Sequence, residues 1–147
     1  MGNIKIGIKN ISGNEIPTYA TTGSSGLDLR AWLKDSIVLK PLERYLVPTG
    51  LFIEIPTGYE AQVRPRSGLA IKQGLSCLNS PGTIDSDYRG ELKVIMVNLS
   101  NETQTIEDGN RIAQLVFQKV EIIEWNEIET LTETVRGEGG FGHTGKI

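Results

Sequence analysis

The chain has 147 residues, 38% of them hydrophobic and 22% charged, with a net charge of −3. That length suffices for one domain around one core, and the slight acidic balance excludes a broad basic nucleic-acid face while leaving room for a small cationic pocket. One cysteine, Cys77, and one histidine, His143, exclude an intrachain disulfide and a zinc centre built from nitrogen and sulfur. No apolar run reaches membrane-span length, and the start Met-Gly-Asn-Ile-Lys-Ile lacks the apolar core of a secretory signal. Gly2 follows Met1, but Ile6 or Gly7 stands where N-myristoylation needs Ser or Thr. The expectation is a cytoplasmic protein with no nucleic-acid or membrane partner.

Residues 3–10 alternate, with Ile4, Ile6 and Ile8 opposite Lys5, Gly7 and Lys9, which predicts a half-buried strand. Residues 10–17 are turn-like, and residues 19–26 form a loop of small residues. Residues 27–31 alternate again, placing Asp28 and Arg30 on one face and Leu27, Leu29 and Ala31 on the other. Further strands are predicted at residues 36–40, near Tyr45, at 51–55 and at 59–64, punctuated by Pro41, Pro48-Thr49-Gly50 and Pro56-Thr57-Gly58. Pro65-Arg66-Ser67-Gly68 leads into the one predicted helical turn, residues 69–74, stopped by Gly74. Residues 78–91 read as a hairpin, with Leu92–Leu99 as its return strand. On an extended backbone Asp85 and Asp87 would share a face, with Ser86 opposite and Tyr88 at the rim. Residues 101–110 read as a polar loop, 111–120 as a long apolar strand and 122–131 as a weaker one. Residues 136–145 hold five glycines in ten positions and by composition should be mobile alone. Many short strands with almost no helix predict an all-β sandwich or barrel, without repeat or second domain.

Each chemical motif taken singly has an ordinary reading beside a functional one. Pro65-Arg66-Ser67-Gly68 suits an anion such as phosphate, or is a helix start capped by serine. The glycine-rich tail could wrap a phosphate chain, or be a disordered end. Asp28 could face a divalent cation through oxygen, or be a solvated strand residue. Asp85 lies on a polar turn of a common kind. Arg111 and Gln114 suit structural hydrogen bonds, Cys77 a small buried hydrophobe, His143 a polar tail residue, and Trp32 and Trp125 packing positions. Together they point further: a carboxylate on a hairpin, a phosphate-type loop and an arginine-bearing glycine tail suit hydrolysis of a polyphosphate ester. A carboxylate would serve as base and Mg²⁺ as charge clamp.

These motifs carry a resemblance. The chain is similar to the trimeric dUTPases (deoxyuridine 5′-triphosphate nucleotidohydrolases) over nearly its whole length. Ser25-Gly26-Leu27-Asp28-Leu29 resembles the family's first motif, in which alanine often precedes the glycine. Pro65-Arg66-Ser67-Gly68-Leu69-Ala70 resembles the second, and residues 79–91, with an intact Gly-x-Ile-Asp-x-Asp-Tyr-x-Gly core, the third. Gly109-Asn110-Arg111-Ile112-Ala113-Gln114-Leu115 resembles the fourth and Arg136-Gly137-Glu138-Gly139-Gly140-Phe141-Gly142 the fifth. All five stand in family order.

The resemblance implies a jelly-roll-like β-barrel of short strands with one short helical turn. Residues 1–135 would form the single dUTPase barrel domain and residues 136–147 a flexible glycine-rich lid. Three copies would form a homotrimer with exchanged C-terminal segments, each active site drawing on all three chains. The implied reaction is dUTP plus water to dUMP plus pyrophosphate, with Mg²⁺. It would limit uracil incorporation into DNA and supply dUMP for dTMP synthesis. Asp85 would be the general base, and Arg66, Ser67, Gly68 and Gln114 would hold phosphate oxygens. Mg²⁺ would sit mainly on the triphosphate, with Asp28 reaching it through water. Asn79, with backbone at Thr83, Ile84 and Lys93, would read the uracil edge. Tyr88 would lie against the deoxyribose and exclude a 2′-hydroxyl. Arg136 would reach the far phosphate, Phe141 would stack on uracil, and Gly142 would join the lid.

Two other functions fit the same scaffold less well. A dCTP deaminase would replace the Asp85-Ser86-Asp87-Tyr88 segment with one bearing a catalytic glutamate, for which Glu91 is the only nearby residue. A regulatory binding role would make catalysis secondary, which intact catalytic residues argue against. No protein partner is legible.

Overall fold

Alternation of apolar and polar residues buries one face of most strands of the chain. The computed structural model describes residues 2–145. Residue 1 and residues 146–147, which the expected domain and tail include, lie outside the described residues. The first part of the chain holds β1 (Gly7–Asn10), β2 (Leu27–Arg30), β3 (Ile37–Leu39), β4 (Arg44–Pro48), β5 (Leu51–Glu54) and β6 (Tyr59–Arg64). After α1 (Ser67–Gln73) come β7 (Leu75–Cys77), β8 (Gly82–Ile84), β9 (Lys93–Asn98), β10 (Gln104–Ile106) and β11 (Arg111–Lys119). The structure is mostly β with one short helix, as the sequence predicts.

The strands form a four-stranded sheet in the order β2-β11-β6-β8, a three-stranded sheet β4-β9-β7, and the pairs β1-β5 and β3-β10. Every pairing is antiparallel. Inward residues of all of them, among them Leu29, Val47, Leu75, Leu92, Met96, Ile106 and Ile112, meet in one core. Thr49 and Asn98 are buried polar residues of this core, and the bonds of Asn98 are all made. Its amide donates to the carbonyls of Leu39 at 2.9 Å and Glu102 at 2.7 Å, and its oxygen accepts from Ser100. A buried amide so satisfied costs little and fixes the loop after β9.

Several expectations are corrected. Of residues 3–10 only the last four pair, and Ile4 and Ile8 are exposed within this chain. Strands β7 and β10 were not foreseen, the latter lying inside the predicted polar loop. Residues 122–131 form no strand, and Ile122, Trp125 and Leu131 stand exposed, because no edge within the chain is offered to them. Trp125 therefore packs on nothing in its own chain. Ser67 is not the helix cap: Arg66 occupies that position and makes no side-chain cap bond.

The predicted hairpin is also different. β8 pairs with β6, whereas β9 pairs with β4 and β7. Residues 85–91 thus cross from one sheet to another without a ladder of their own. Nor are Asp85 and Asp87 on an extended strand, because the Tyr88 amide donates to the Asp85 carbonyl at 3.2 Å and closes a turn between them.

Candidate functional site

The four-stranded sheet gathers three motifs that are far apart in sequence. β11 lies between β2 and β6, and its Gln114 faces Asp28 on one side and Arg64 on the other. Arg64 ends β6, so Pro65 and Arg66 arrive beside Gln114 and open α1. A bulge completes the group. Residues three apart on a regular strand point to opposite faces, yet the register shifts between Arg111 and Ala113. The extra residue returns Arg111 to the face of Gln114, opposite Arg30, and lets Ile112 and Ala113 both be buried.

Asp28 is the hub of this face. Its Oδ1 lies 3.0 Å from Arg66 Nε and its Oδ2 3.4 Å from Arg111 Nη1. Arg66 also donates to the Arg111 carbonyl at 3.2 Å, and Gln114 donates to the Pro65 carbonyl at 3.1 Å. A side chain at residue 26 would land on the Gln114 amide oxygen, so the glycine permits the close approach. Ser67 and Gly68 begin α1 beside this group with exposed backbone. Two guanidinium groups share one carboxylate here, which leaves a net positive charge and unused N–H groups for an anion.

The second group lies along residues 79–93. Asn79 approaches Gly82 at the start of β8, and Thr83 faces Gln62 across the ladder. Asp85 and Tyr88 flank the exposed turn. The Tyr88 hydroxyl donates to the Glu91 carbonyl at 2.9 Å, and Arg89 donates to the carbonyls of Ser86 at 2.7 Å and Tyr88 at 3.1 Å. Lys93 opens β9 with its ammonium 3.6 Å from Glu91 Oε2. An open cleft of about 500 Å³ between Gln114 and Pro65 on one side and Ser80-Pro81 on the other borders both groups. Among the described residues no side-chain hydrogen bond or ion pair joins the two.

The third group stands apart. Arg136 donates to the Gly139 carbonyl at 2.7 Å, and the hydrogen bonds of residues 136–145 stay within the tail and its preceding turn. Phe141 is fully exposed. Within one chain, then, Arg136, Phe141 and Gly142 are not brought to the other candidates.

Among the described residues no set of three His, Cys, Asp or Glu side chains is placed to hold a metal ion. Asp28, the single carboxylate of the cationic face, already has both oxygens engaged. This donor set fits Mg²⁺ that arrives on a polyphosphate and keeps its waters, not a bare ion held by the protein.

Sequence reasoning named Arg111 only as a structural residue. The sequence carries no distinct signal for it, because Ile112-Ala113 reads no differently from Leu115-Val116-Phe117, which lies in a regular ladder.

Comparison with known proteins gives the family of the chain. A family model described as dUTPase matches residues 12–145. A deoxyuridine 5′-triphosphate nucleotidohydrolase of Fusobacterium nucleatum is 62% identical over 146 residues, covering 99% of this chain and 100% of that protein. One of Finegoldia magna is 60% identical over 142 residues, covering 97% and 99%. In structure the chain is similar to the dUTPase of Staphylococcus bacteriophage 80alpha with dUPNHPP, with a TM-score of 0.86 at 26% identity, covering 97% of this chain and 99% of that one. The chain belongs to the dUTPase family.

Proposed function

We propose that this chain hydrolyses dUTP to dUMP and pyrophosphate, and that the groups described above form the active site once three copies assemble. The observation that carries the reading is the cationic face in which Asp28 gathers Arg66 and Arg111 beside Gln114 and the start of α1. Such a face recognises a phosphate chain by charge and by directed N–H groups.

In this reading Arg66, Ser67, Gly68 and Gln114 hold the phosphate oxygens. Asp85 takes a proton from a water whose oxygen attacks the α-phosphorus in line. The bond from that phosphorus to the bridging oxygen breaks, and pyrophosphate leaves with the electron pair. A carboxylate is a weak base, and orientation of the water by Asp85 supplies most of the effect. Asp28 would meet Mg²⁺ through water, with the triphosphate as the ion's main holder, and the ion when bound would supply neutralisation of charge on the phosphoryl oxygens and leaving group. Asn79 and the backbone of Thr83, Ile84 and Lys93 read the uracil edge, and Tyr88 lies against the sugar. Arg136, Phe141 and Gly142 close over the nucleotide, with residues 136–147 acting as the lid.

Two observations support assembly. The accessible surface is 11095 Å² for 16.1 kDa, roughly half as much again as a compact monomer of that mass exposes. Residues 120–135 are exposed throughout, and their Ile122, Trp125 and Leu131 are unpartnered within the chain. A matching apolar cavity of about 740 Å³ is lined by Ile4, Ile6, Ile8, Ile16, Leu27 and Phe117 among others. In a homotrimer with exchanged C-terminal segments the arm of one copy is covered by another, and its tail is carried onward to a neighbour's site.

Pyrophosphate release should be measured across dUTP, UTP, dTTP, dCTP and dATP. dUTP is expected to be strongly preferred, because a site that hydrogen-bonds specific edges rejects analogues far better than an apolar pocket. Asp85→Asn should retain binding of a dUTP analogue and lose turnover by roughly 10²–10⁴-fold. Comparable specificity constants for dUTP and dTTP would overturn the reading of the base, and near-native turnover by Asp85→Asn would remove Asp85 from the mechanism.

A further inference from the structure

Residues 85–91 belong to no ladder, so something other than strand pairing must hold the turn that carries Asp85 and Tyr88. Two side chains tie it down. Arg89 bonds the turn's own carbonyls and approaches Glu54 at 3.5 Å, but both partners of that ion pair are mostly exposed, and such pairs contribute little. Glu91 differs. Its side chain is only 14% exposed, and its Oε1 accepts the Gly50 amide N–H at 3.1 Å while Oε2 faces Lys93.

The anchor point is itself rigid. Gly50 is buried with φ of 69°, and a Cβ there would meet Ser12 and Trp32 at 3.0 Å or less. Next to it, Thr49 Oγ1 donates to the Leu92 carbonyl at 2.6 Å, and the Leu92 amide donates to the Leu51 carbonyl at 2.8 Å. Glu91 thus ties the crossing segment to the β4–β5 corner through its side chain, while its backbone carbonyl receives the Tyr88 hydroxyl. These engagements also leave Glu91 poorly placed for the acid–base role a deaminase would require of it.

We infer that Glu91 is a positioning residue that fixes Tyr88 through the Gly50 anchor and thereby sets discrimination against a 2′-hydroxyl. The inference rests on the dUTPase reading above. Loss of the anchor frees the phenol from one orientation, so a ribose is less well excluded, while the loosening of Asp85 on the same turn lowers turnover of dUTP and UTP alike and cancels in their ratio.

The test compares kcat and KM for dUTP and UTP in wild type, Glu91→Ala, Glu91→Asp and Glu91→Gln. Glu91→Gln keeps an acceptor for the Gly50 N–H and should keep the dUTP-to-UTP preference within about twofold. Glu91→Ala should lower that preference about tenfold, mainly through KM, the size of about 1.4 kcal/mol of lost discrimination. Glu91→Asp, one methylene too short to reach, should fall between them and serves if the alanine variant fails to fold. Amide exchange should quicken at residues 85–90 in Glu91→Asp and remain unchanged in β6 and β11. An unaltered preference in folded Glu91→Asp or Glu91→Ala, or a glutamine variant as impaired as alanine, would overturn the inference. Absence of dUTP turnover in wild type would instead overturn the reading on which it rests.

Discussion

At the scale of the residue, environment decides what each side chain can do. Cys77 is buried at the end of β7, and burial pushes its thiol up to about 11 from 9.0. The native state therefore keeps the thiol proton where the unfolded chain has lost it. Its contribution to stability is full below pH 9.0 and disappears as pH rises toward 11, a loss of roughly 2–3 kcal/mol. Denaturant melts of wild type and Cys77→Ala should converge across that window, because only wild type carries this slope. Parallel curves would show that the thiol does not report burial. Composition made a buried, inert cysteine legible. Asp85 was legible as a chemical residue, but not in its geometry: two carboxylates two apart imply one face only on an extended backbone, and the Tyr88 N–H curls this one into a turn. Arg111 was hidden for a similar reason, since a bulge changes which residues share a face.

Elements were legible where alternation runs long enough to have a period. The strands β2, β6 and β11 stand where their patterns place them. β7 and β10 have three residues each, too few to show alternation, and exist because β9 and β3 offer partners. Residues 122–131 failed in the opposite way: apolar content announces burial, but nothing within this chain covers Ile122, Trp125 or Leu131. Among the described residues, 136–145 bond only to one another and to Thr134, so no strand of the sheets depends on them. Truncation after Val135 should leave melting and assembly as in the full chain, yet reduce turnover about a hundredfold if the lid orients the triphosphate. Amide exchange of residues 136–145 should slow only when a dUTP analogue is bound. Equal protection with and without the analogue would argue against a lid.

At the scale of the whole molecule, the proposed trimer makes a numerical claim. Asp85→Asn has a lid and no base, and the chain truncated after Val135 has a base and no lid. If one site takes these from different copies, trimers mixed at random from equal amounts of both should recover about one quarter of wild-type turnover. Co-expression with two affinity tags isolates the mixed trimers without subunit exchange, and since each of these holds one complete site in three, the isolated fraction should show about one third of wild-type turnover. Verified mixed trimers no more active than either parent would reject shared sites while leaving the reaction itself untouched. No single-chain pattern could have displayed this, because sequence reading places residues along a chain and the proposed site closes between chains.

The segment that crosses between the sheets has a consequence for how such a protein can change over time. A stretch registered in neither ladder is free to vary in length or wording without sliding any strand past its neighbour. Strand register then resides in the sheets, and the sugar-facing part of nucleotide preference, carried by Tyr88 and Glu91, in one short unpaired segment. Lineages built on this frame can shift that preference by rewriting the segment around Asp85 and the Glu91 anchor while the strands keep their register.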